Sequence, residues 1–405
     1  MTLRILCADA LDPARVARLV DAGHECRLSP ELDADSLVGA LTDVDVLVVR
    51  STRVTRAAIE AAPQLDLVVR AGAGVDTIDV DAASERGVYV CNVPGKNAIA
   101  VAELTLGLLL AVDRRIPDGV TDLRSGRWHK ARYSKASGLY GRRMAILGLG
   151  DIGLAVGERA AAFGIDVVAL RKPARSSETL SRVRSAGIRF VDSIEELLVD
   201  TDIVSIHVPA ASDTRGLVNA DFLALLPDGA IVLNTSRGDV IDEAALVRAM
   251  DERGFRAGLD VYVTEPSGGD TAWTSALASH PNVTGSHHIG ASTSQAQEAV
   301  ADGVVEVVEA YAAGEVINCV NLASRPLGEC SIVIRHRDQV GVLASVLTCL
   351  REGGINVQQM QNEIFDGSGP TAAVATIRTS AEPPDTVLDQ LRSIDAVYHV
   401  RLQGS

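Results

Sequence analysis

The chain has 405 residues, 47% of them hydrophobic but only 3% aromatic, and a formal net charge of −15. At about 100–200 residues per domain this is two or three domains with aliphatic cores, and the acidic balance argues against nucleic-acid partners, which need a basic surface. The six cysteines (Cys7, Cys26, Cys91, Cys319, Cys330 and Cys349) show no CxxC spacing, which excludes an obvious zinc site and reads as reduced thiols in a cytoplasmic protein.

The first residues, MTLRILCADALDPAR, hold too short an apolar run for a secretory leader. Residues 1–93 alternate the predicted strands LRILCAD, VDVLVVR, LDLVVRAG and GVYVCN with helices at PARVARLV and AAIEAA. Such alternation predicts a parallel sheet covered on both faces. A long helix from Ala98 to about Arg115 follows, apolar on nearly every side, which calls for cover from another domain or another subunit. Its most apolar stretch, Leu104 to Val112, is about half a membrane span, so no membrane partner is expected. MAIL opens a second α/β unit, continued by IDVVAL, RFV, DIVSIHV, AIVLNTS, FRAGLDV and VTGSHH. Between Gly314 and Gly328 the periodicity breaks, as in a linker. Beyond it SIVIRH, VGVLASVLTCLREGG, INVQQMQNE, AAVATIRT, DTVLDQLRSI and VYHVRL read as βαββαβ, the ferredoxin-like order.

Gly148-Leu149-Gly150-Asp151-Ile152-Gly153 stands between the strand MAIL and a helix. In that setting Gly148 permits the turn, Gly150 lets the backbone approach a pyrophosphate, and Gly153 allows close helix–strand packing. The helix N-terminus offers free N–H groups and a positive dipole end to the phosphates. A carboxylate at the end of the next strand would hold a ribose 2′-hydroxyl. That position is Arg171, followed by Lys172, Arg175 and Ser176. Cationic forks suit a phosphate dianion, so NADP(H) is expected over NAD(H). A solvated basic loop is the competing reading.

Three motifs follow: NTSRGDVIDE, GLDVYVTEP and HHIGAST. Beside a bound dinucleotide, acid–base chemistry on a small carboxylic acid needs a cation on the carboxylate, a proton donor, and a carboxylate that orients the donor. Arg237 suits the first role, because guanidinium pairs with carboxylate bidentately. His288 suits the second and Glu265 the third. Taken alone, Arg237 also reads as a surface ion-pair residue and Glu265 as a loop carboxylate. His287 and His288 are adjacent, so on an extended strand only one faces the cleft.

GLGxIG followed by NTSRG, LDVxxxEP and HxGAST, with RSTRVT, RAGAGVD and NAIAVAELT upstream, resembles the D-isomer-specific 2-hydroxyacid dehydrogenase family. The resemblance covers the chain to about residue 320 and is nearest to the phosphoglycerate dehydrogenase branch. It implies an α/β fold of two doubly wound parallel-sheet domains. Residues 1–93 and 288–318 form a flavodoxin-like substrate domain, and 94–287 a Rossmann cofactor domain. A linker at 319–328 leads to a ferredoxin-like ACT domain over 329–405.

The resemblance selects Arg237, Glu265 and His288 as catalytic. It places Asp260 near the nicotinamide carboxamide. It lines the dinucleotide with Ala73, His207, Val208, Pro209, Thr235, Ser236 and Gly290. It puts Arg50, Ser51, Gly72, Gly74 and Asn97 beside the substrate acid, with Lys96, Lys130 and Arg132 as extra cations that solvent could equally claim. Two departures stand out: the missing strand-end acid, and a segment between Trp128 and Leu139 one residue longer than usual.

The implied substrates are 3-phosphoglycerate and 3-phosphohydroxypyruvate, in serine biosynthesis. NADPH-dependent reduction of glyoxylate, hydroxypyruvate or a phosphonate analogue is an alternative, and a dinucleotide-sensing corepressor is another. HRDQVGVL and GGINV resemble an ACT domain, with His336, Asp338 and Asn356 at positions that contact serine across a dimer interface. Asp338 and Val340 replace the usual asparagine and proline. A homodimer or homotetramer is implied, and no metal is expected.

Overall fold

A computed structural model describes residues 1–173, 175–266, 271–323, 327–366 and 371–404. The chain divides into two compact units, Met1–Asn321 and Leu322–Ser405.

In the first unit, β1 (Arg4–Cys7), β2 (Glu25–Leu28), β3 (Val46–Val49), β4 (Leu67–Arg70) and β5 (Tyr89–Asn92) form a parallel sheet in the order β2-β1-β3-β4-β5. This is the flavodoxin-like order. Helices α1 (Pro13–Asp21), α2 (Ala34–Ala40), α3 (Arg56–Glu60) and α4 (Val80–Arg86) connect the strands, capped at their starts by Asp12, Asp33, Thr55 and Asp79. Strand β3, VLVV, is buried at every position, as a central strand covered on both faces must be. The sequence reading missed β2, α2 and α4. Strand β2 is an edge strand, ECRL, with no buried residue, so it carries no apolar run to detect.

Helix α5 (Ala98–Arg114) leads through α6 (Ile116–Arg124) and α7 (Lys130–Tyr133) into a second parallel sheet. It contains β6 (Arg143–Leu147), β7 (Asp166–Leu170), β8 (Arg189–Val191), β9 (Ile203–Ile206), β10 (Ile231–Asn234), β11 (Arg256–Leu259) and β12 (Val283–Gly285). Between them run α8 (Asp151–Ala162), α9 (Ser177–Ser185), α10 (Ile194–Leu198), α11 (Ala220–Ala224) and α12 (Glu243–Arg253). The order β12-β11-β10-β9-β6-β7-β8 reverses direction between β6 and β9, which makes that crevice the switch point of a Rossmann sheet. Helix α5 packs on α8 and on β10, β11 and β12. Its apolar sides are therefore covered largely within the chain, so they are no argument for a second subunit.

Helix α13 (Ser294–Ala312) returns to the first sheet, where Val304, Val305, Val307 and Val308 share a core with Ile5, Val46 and Leu67. The backbone of Cys319 pairs antiparallel with that of Cys91 in an isolated β-bridge, both thiols remaining free, and the Val320 N–H donates to the Val90 carbonyl at 2.8 Å. Residues 319 and 320, assigned to a linker from sequence, are thus paired to the first sheet. Residues 324–326 of that linker lie outside the described residues.

In the second unit, β13 (Cys330–Arg337), α14 (Val342–Glu352), β14 (Val357–Ile364), β15 (Ala372–Thr379), α15 (Asp385–Arg392) and β16 (Val397–Gly404) build an antiparallel sheet in the order β14-β15-β13-β16. Ile332, Ile334, Val346, Leu350, Ile377 and Leu391 form its core. This is the expected ferredoxin-like topology. Among the described residues, no helix is long and apolar enough to cross a membrane.

Candidate active site

The glycine motif lies at the switch point. Gly148 has φ +99°, and a Cβ there would stand 2.7 Å from the His207 carbonyl oxygen. The His207 backbone and the Val208 side chain therefore pack directly on the turn. A Cβ on Gly153 would run into the Gly148 carbonyl oxygen. Gly150 precedes α8 with no side-chain cap, so the first amides of that helix are left for an anion. Asp151 and Ile152 are the first two residues of the helix. The residues present thus fit a dinucleotide pyrophosphate. Substituting Gly153 by alanine forces the turn off the helix. The expected result is a lower Tm, worth about 1–3 kcal/mol, together with loss of dinucleotide binding in a fluorescence titration.

At the far end of the crevice Arg171 and Asp192 leave adjacent strands together. The Arg171 N–H donates to Val191 O at 2.8 Å, and its Nε donates to Asp192 Oδ1 at 2.7 Å. Arg175 Nη1 donates to Leu149 O at 2.8 Å, inside the glycine motif. The reading from sequence found no acid at this corner because it followed one strand. The neighbouring strand supplies Asp192.

The turn after β10 is organised by Asn234, a fully buried residue that sequence reasoning passed over. Its Oδ1 accepts from the Ser236 N–H and hydroxyl at 3.0 and 2.8 Å, and its Nδ2 donates to the Arg237 carbonyl at 2.9 Å. Thr235 is buried and its hydroxyl lies 2.9 Å from that of Thr105. The Arg237 guanidinium then reaches Asp76, with Nε and Nη2 donating to one carboxylate oxygen at 2.9 and 2.8 Å. Asp76 closes the RAGAGVD motif, where no role had been assigned to it.

Glu265 Oε2 lies 2.6 Å from His288 Nδ1, and its Oε1 accepts the Tyr262 N–H at 2.7 Å. Burial pushes the Glu265 carboxyl up, but those hydrogen bonds and nearby cations outweigh it and hold it below its ordinary value. The hydrogen bond to Glu265 raises the His288 pKa, against partial burial. Arg237 stands close enough to lower both. With Nδ1 committed to Glu265, Nε2 is the ring nitrogen left for another partner.

His288 is not on an extended strand, as the sequence reading assumed. Strand β12 ends at Gly285, and His288 has φ +53°. That left-handed conformation is held by Asp260. Its carbonyl accepts the His288 N–H at 2.8 Å, and its buried carboxylate accepts from Ser286 Oγ, Ile289 N and Gly290 N at 2.6, 2.9 and 2.8 Å. Three of about four lone-pair sites of that carboxylate are thus spent on the histidine loop. Gly290 sits where a Cβ would stand 3.1 Å from Asp260.

The loops expected from sequence to border a substrate come from the first sheet. Asp9 accepts the N–H groups of Arg50, Ser51 and Thr52 at 2.7, 3.1 and 3.0 Å, and the Ser51 hydroxyl at 2.8 Å. The Ser51 hydroxyl is therefore engaged within the loop. Gly72 lies under Arg70, and Gly74 under Arg237 and Asp76; a Cβ at either would collide with those side chains. Arg70 is itself largely buried, with no partner for Nε among the described residues. The Ala73 carbonyl accepts from Asn92 Nδ2 at 2.6 Å. Asn97 precedes α5, and the adjacent Lys96 pairs with Glu306 at 3.2 Å, while Arg132 lies 3.5 Å from Asp122. The extra cations Lys96 and Arg132 are thus occupied within the chain.

Residues 106–290 match the family model described as "D-isomer specific 2-hydroxyacid dehydrogenase, NAD binding domain". A hydroxypyruvate reductase from Thermotoga maritima is 38% identical over 307 residues, 75% of this chain and 97% of that protein. The chain belongs to the D-isomer-specific 2-hydroxyacid dehydrogenase family. A D-3-phosphoglycerate dehydrogenase from Methanocaldococcus jannaschii is 37% identical over 360 residues, 87% of this chain. The match spans 66% of that relative's length. The structure of an NADPH-dependent glyoxylate/hydroxypyruvate reductase from Sinorhizobium meliloti superposes with a TM-score of 0.67 at 31% identity, covering 78% of this chain and 97% of that one. The matched NAD-binding segment includes the glycine motif at the switch point of the second sheet.

In the C-terminal unit of this dehydrogenase His336 is buried. Its Nδ1 lies 2.8 Å from the Arg337 carbonyl and its Nε2 3.1 Å from Asn362 Oδ1. His336 and the exposed Asp338 lie at one end of β13, whereas Asn356 precedes β14 beside the opposite end of the sheet. One chain does not bring the three together.

Proposed function

We propose that the chain catalyses hydride transfer between a nicotinamide dinucleotide and C2 of a 2-hydroxy or 2-oxo acid, with 3-phosphoglycerate and 3-phosphohydroxypyruvate as the pair. The observation that carries the reading is the 2.6 Å Glu265–His288 hydrogen bond within the field of Arg237. The dinucleotide, when bound, supplies or takes the hydride at C4. Gly148, Gly150, Asp151, Ile152 and Gly153 receive the pyrophosphate, with Ala73, His207, Val208, Pro209, Thr235, Ser236 and Gly290 around it. Asp260 serves the cofactor and anchors the histidine loop. Arg237 holds the substrate carboxylate and polarises its carbonyl. His288 Nε2 gives its proton to the C2 oxygen on reduction and takes it back on oxidation. Arg50, Ser51, Gly72, Gly74 and Asn97 border the acid. We also propose residues 1–93 with 288–318 as the substrate domain and 94–287 as the cofactor domain.

Arg171, Lys172 and Arg175 support a preference for NADP(H) over NAD(H). They also favour a second reading, reductive turnover of glyoxylate or hydroxypyruvate, the substrates in the Sinorhizobium enzyme's name. A matrix of kcat/KM for these 2-oxo acids against NADH and NADPH, with His288→Ala as control, decides between the readings. Phosphohydroxypyruvate is expected to lead. Absence of turnover with any acid refutes the enzyme.

The C-terminal unit is proposed as an ACT-like regulatory domain in a cytoplasmic homodimer or homotetramer. A serine site using His336 and Asp338 with Asn356 requires two chains, since one chain keeps them at opposite ends of the sheet. Serine at millimolar concentration is expected to raise Tm, and Asn356→Ala to remove the effect.

A further inference from the structure

The family reading assigns nothing to Asp192, yet it holds Arg171, the first of the cations on which the NADP(H) argument rests. Strands β7 and β8 are parallel and in register, Leu170 opposite Val191. The next residue of each, Arg171 and Asp192, therefore emerges at the same edge. Arg171 Nε donates to Asp192 Oδ1 at 2.7 Å, and the Arg171 and Arg175 guanidinium groups both lie on the Phe190 ring, 5.4 and 5.5 Å from its centre. These residues, with Lys172, Pro173 and Leu180, line a cavity of about 430 Å³. Arg175 ties the cavity to the glycine motif through its bond to Leu149 O.

We propose that Asp192 is the residue that sets dinucleotide discrimination, an inference that rests on the dinucleotide site assigned above. Its carboxylate is the acid that β7 lacks, delivered from the adjacent strand. It offers an acceptor to a ribose 2′-hydroxyl and repels a 2′-phosphate. It also occupies Arg171, so a 2′-phosphate must displace it to gain the guanidinium. The pair is exposed at both ends, with side-chain accessibilities of 59% and 70%. Such a pair is weakly held and readily exchanged. The geometry therefore lets the site accept both NAD(H) and NADP(H), with Asp192 narrowing the preference that Arg171 creates.

The test measures Kd by calorimetry for ADP-ribose and for its 2′-phosphate, on the full-length protein. Asp192→Asn keeps the shape and removes the charge. It is expected to shift the ratio of the two Kd values about tenfold toward the phosphorylated probe, with Tm unchanged and Asp192→Glu restoring the wild-type ratio. An unchanged ratio in Asp192→Asn overturns the proposal. Arg171→Ala separates this failure from failure of the underlying reading. If it leaves the 2′-phosphate probe's affinity intact, the NADP(H) assignment falls on its own. If neither probe binds the wild type, both fall.

Discussion

Replacing His288 by asparagine should lower kcat for reduction of the 2-oxo acid about 10²- to 10⁴-fold, the usual worth of a positioned general acid. Asparagine is the informative substitution because residue 288 has φ +53°, a conformation that asparagine tolerates better than most residues. The Asp260 carbonyl can still accept the N–H of residue 288, so the loop survives and dinucleotide Kd should stay within about twofold of wild type. Equal loss of binding would place the histidine in loop architecture and remove it from the chemistry.

The pH dependence has a definite sign. Glu265 raises the His288 pKa, so the protonated donor persists to higher pH than a free imidazole would. Reductive kcat/KM should therefore hold at low pH and fall as pH rises through that raised value, and oxidation should show the mirror-image limb. Glu265→Gln removes the anion, so the limb should move to lower pH. A limb that does not move would mean that another group controls the reaction. The raised His288 pKa contributes a stability that is lost as pH rises through its folded value, and the lowered Glu265 pKa contributes one that is lost as pH falls through its own, so the pair stabilises the fold between the two.

The second large effect is expected at Arg237. Lysine at this position keeps the charge but lacks the planar fork, and kcat/KM should fall about 10²- to 10³-fold, as on losing a preorganised donor to a developing oxyanion. Asp76 is a positioning residue, since it acts through the guanidinium it holds at 2.8 Å. Asp76→Asn should cost about tenfold, through KM more than kcat. The ion pair is partly exposed, with side-chain accessibilities of 31% and 54%, so Tm should barely move in either variant. A fall in Tm that tracks the loss of activity would instead make the pair a structural clamp.

Sequence periodicity located most strands of both parallel sheets, because strands buried on two faces read as short apolar runs. It could not locate β2, whose residues are largely exposed at a sheet edge, nor read an arginine–aspartate pair built from two strands 21 residues apart. It left open whether another domain or another subunit covers α5, since pattern alone does not say which surface covers a helix. Asn234, Asp9 and Asp260 escaped as organisers for a related reason. Their chemistry consists of hydrogen bonds to backbone groups, and those bonds exist only once the loops are closed.

What the amino-acid order determined by itself is the set of candidates: the Gly148–Gly153 motif as a phosphate turn, read from its place between strand and helix, and Arg237, Glu265 and His288, picked out by their motifs. Tertiary structure alone decided what each group leans on. Asp76 comes to Arg237 from the first sheet, Asp192 to Arg171 from the next strand, and Asp260 bends the backbone at His288. Each of these contacts joins segments that linear spacing does not relate, because side-chain direction is set only when the strands take their register.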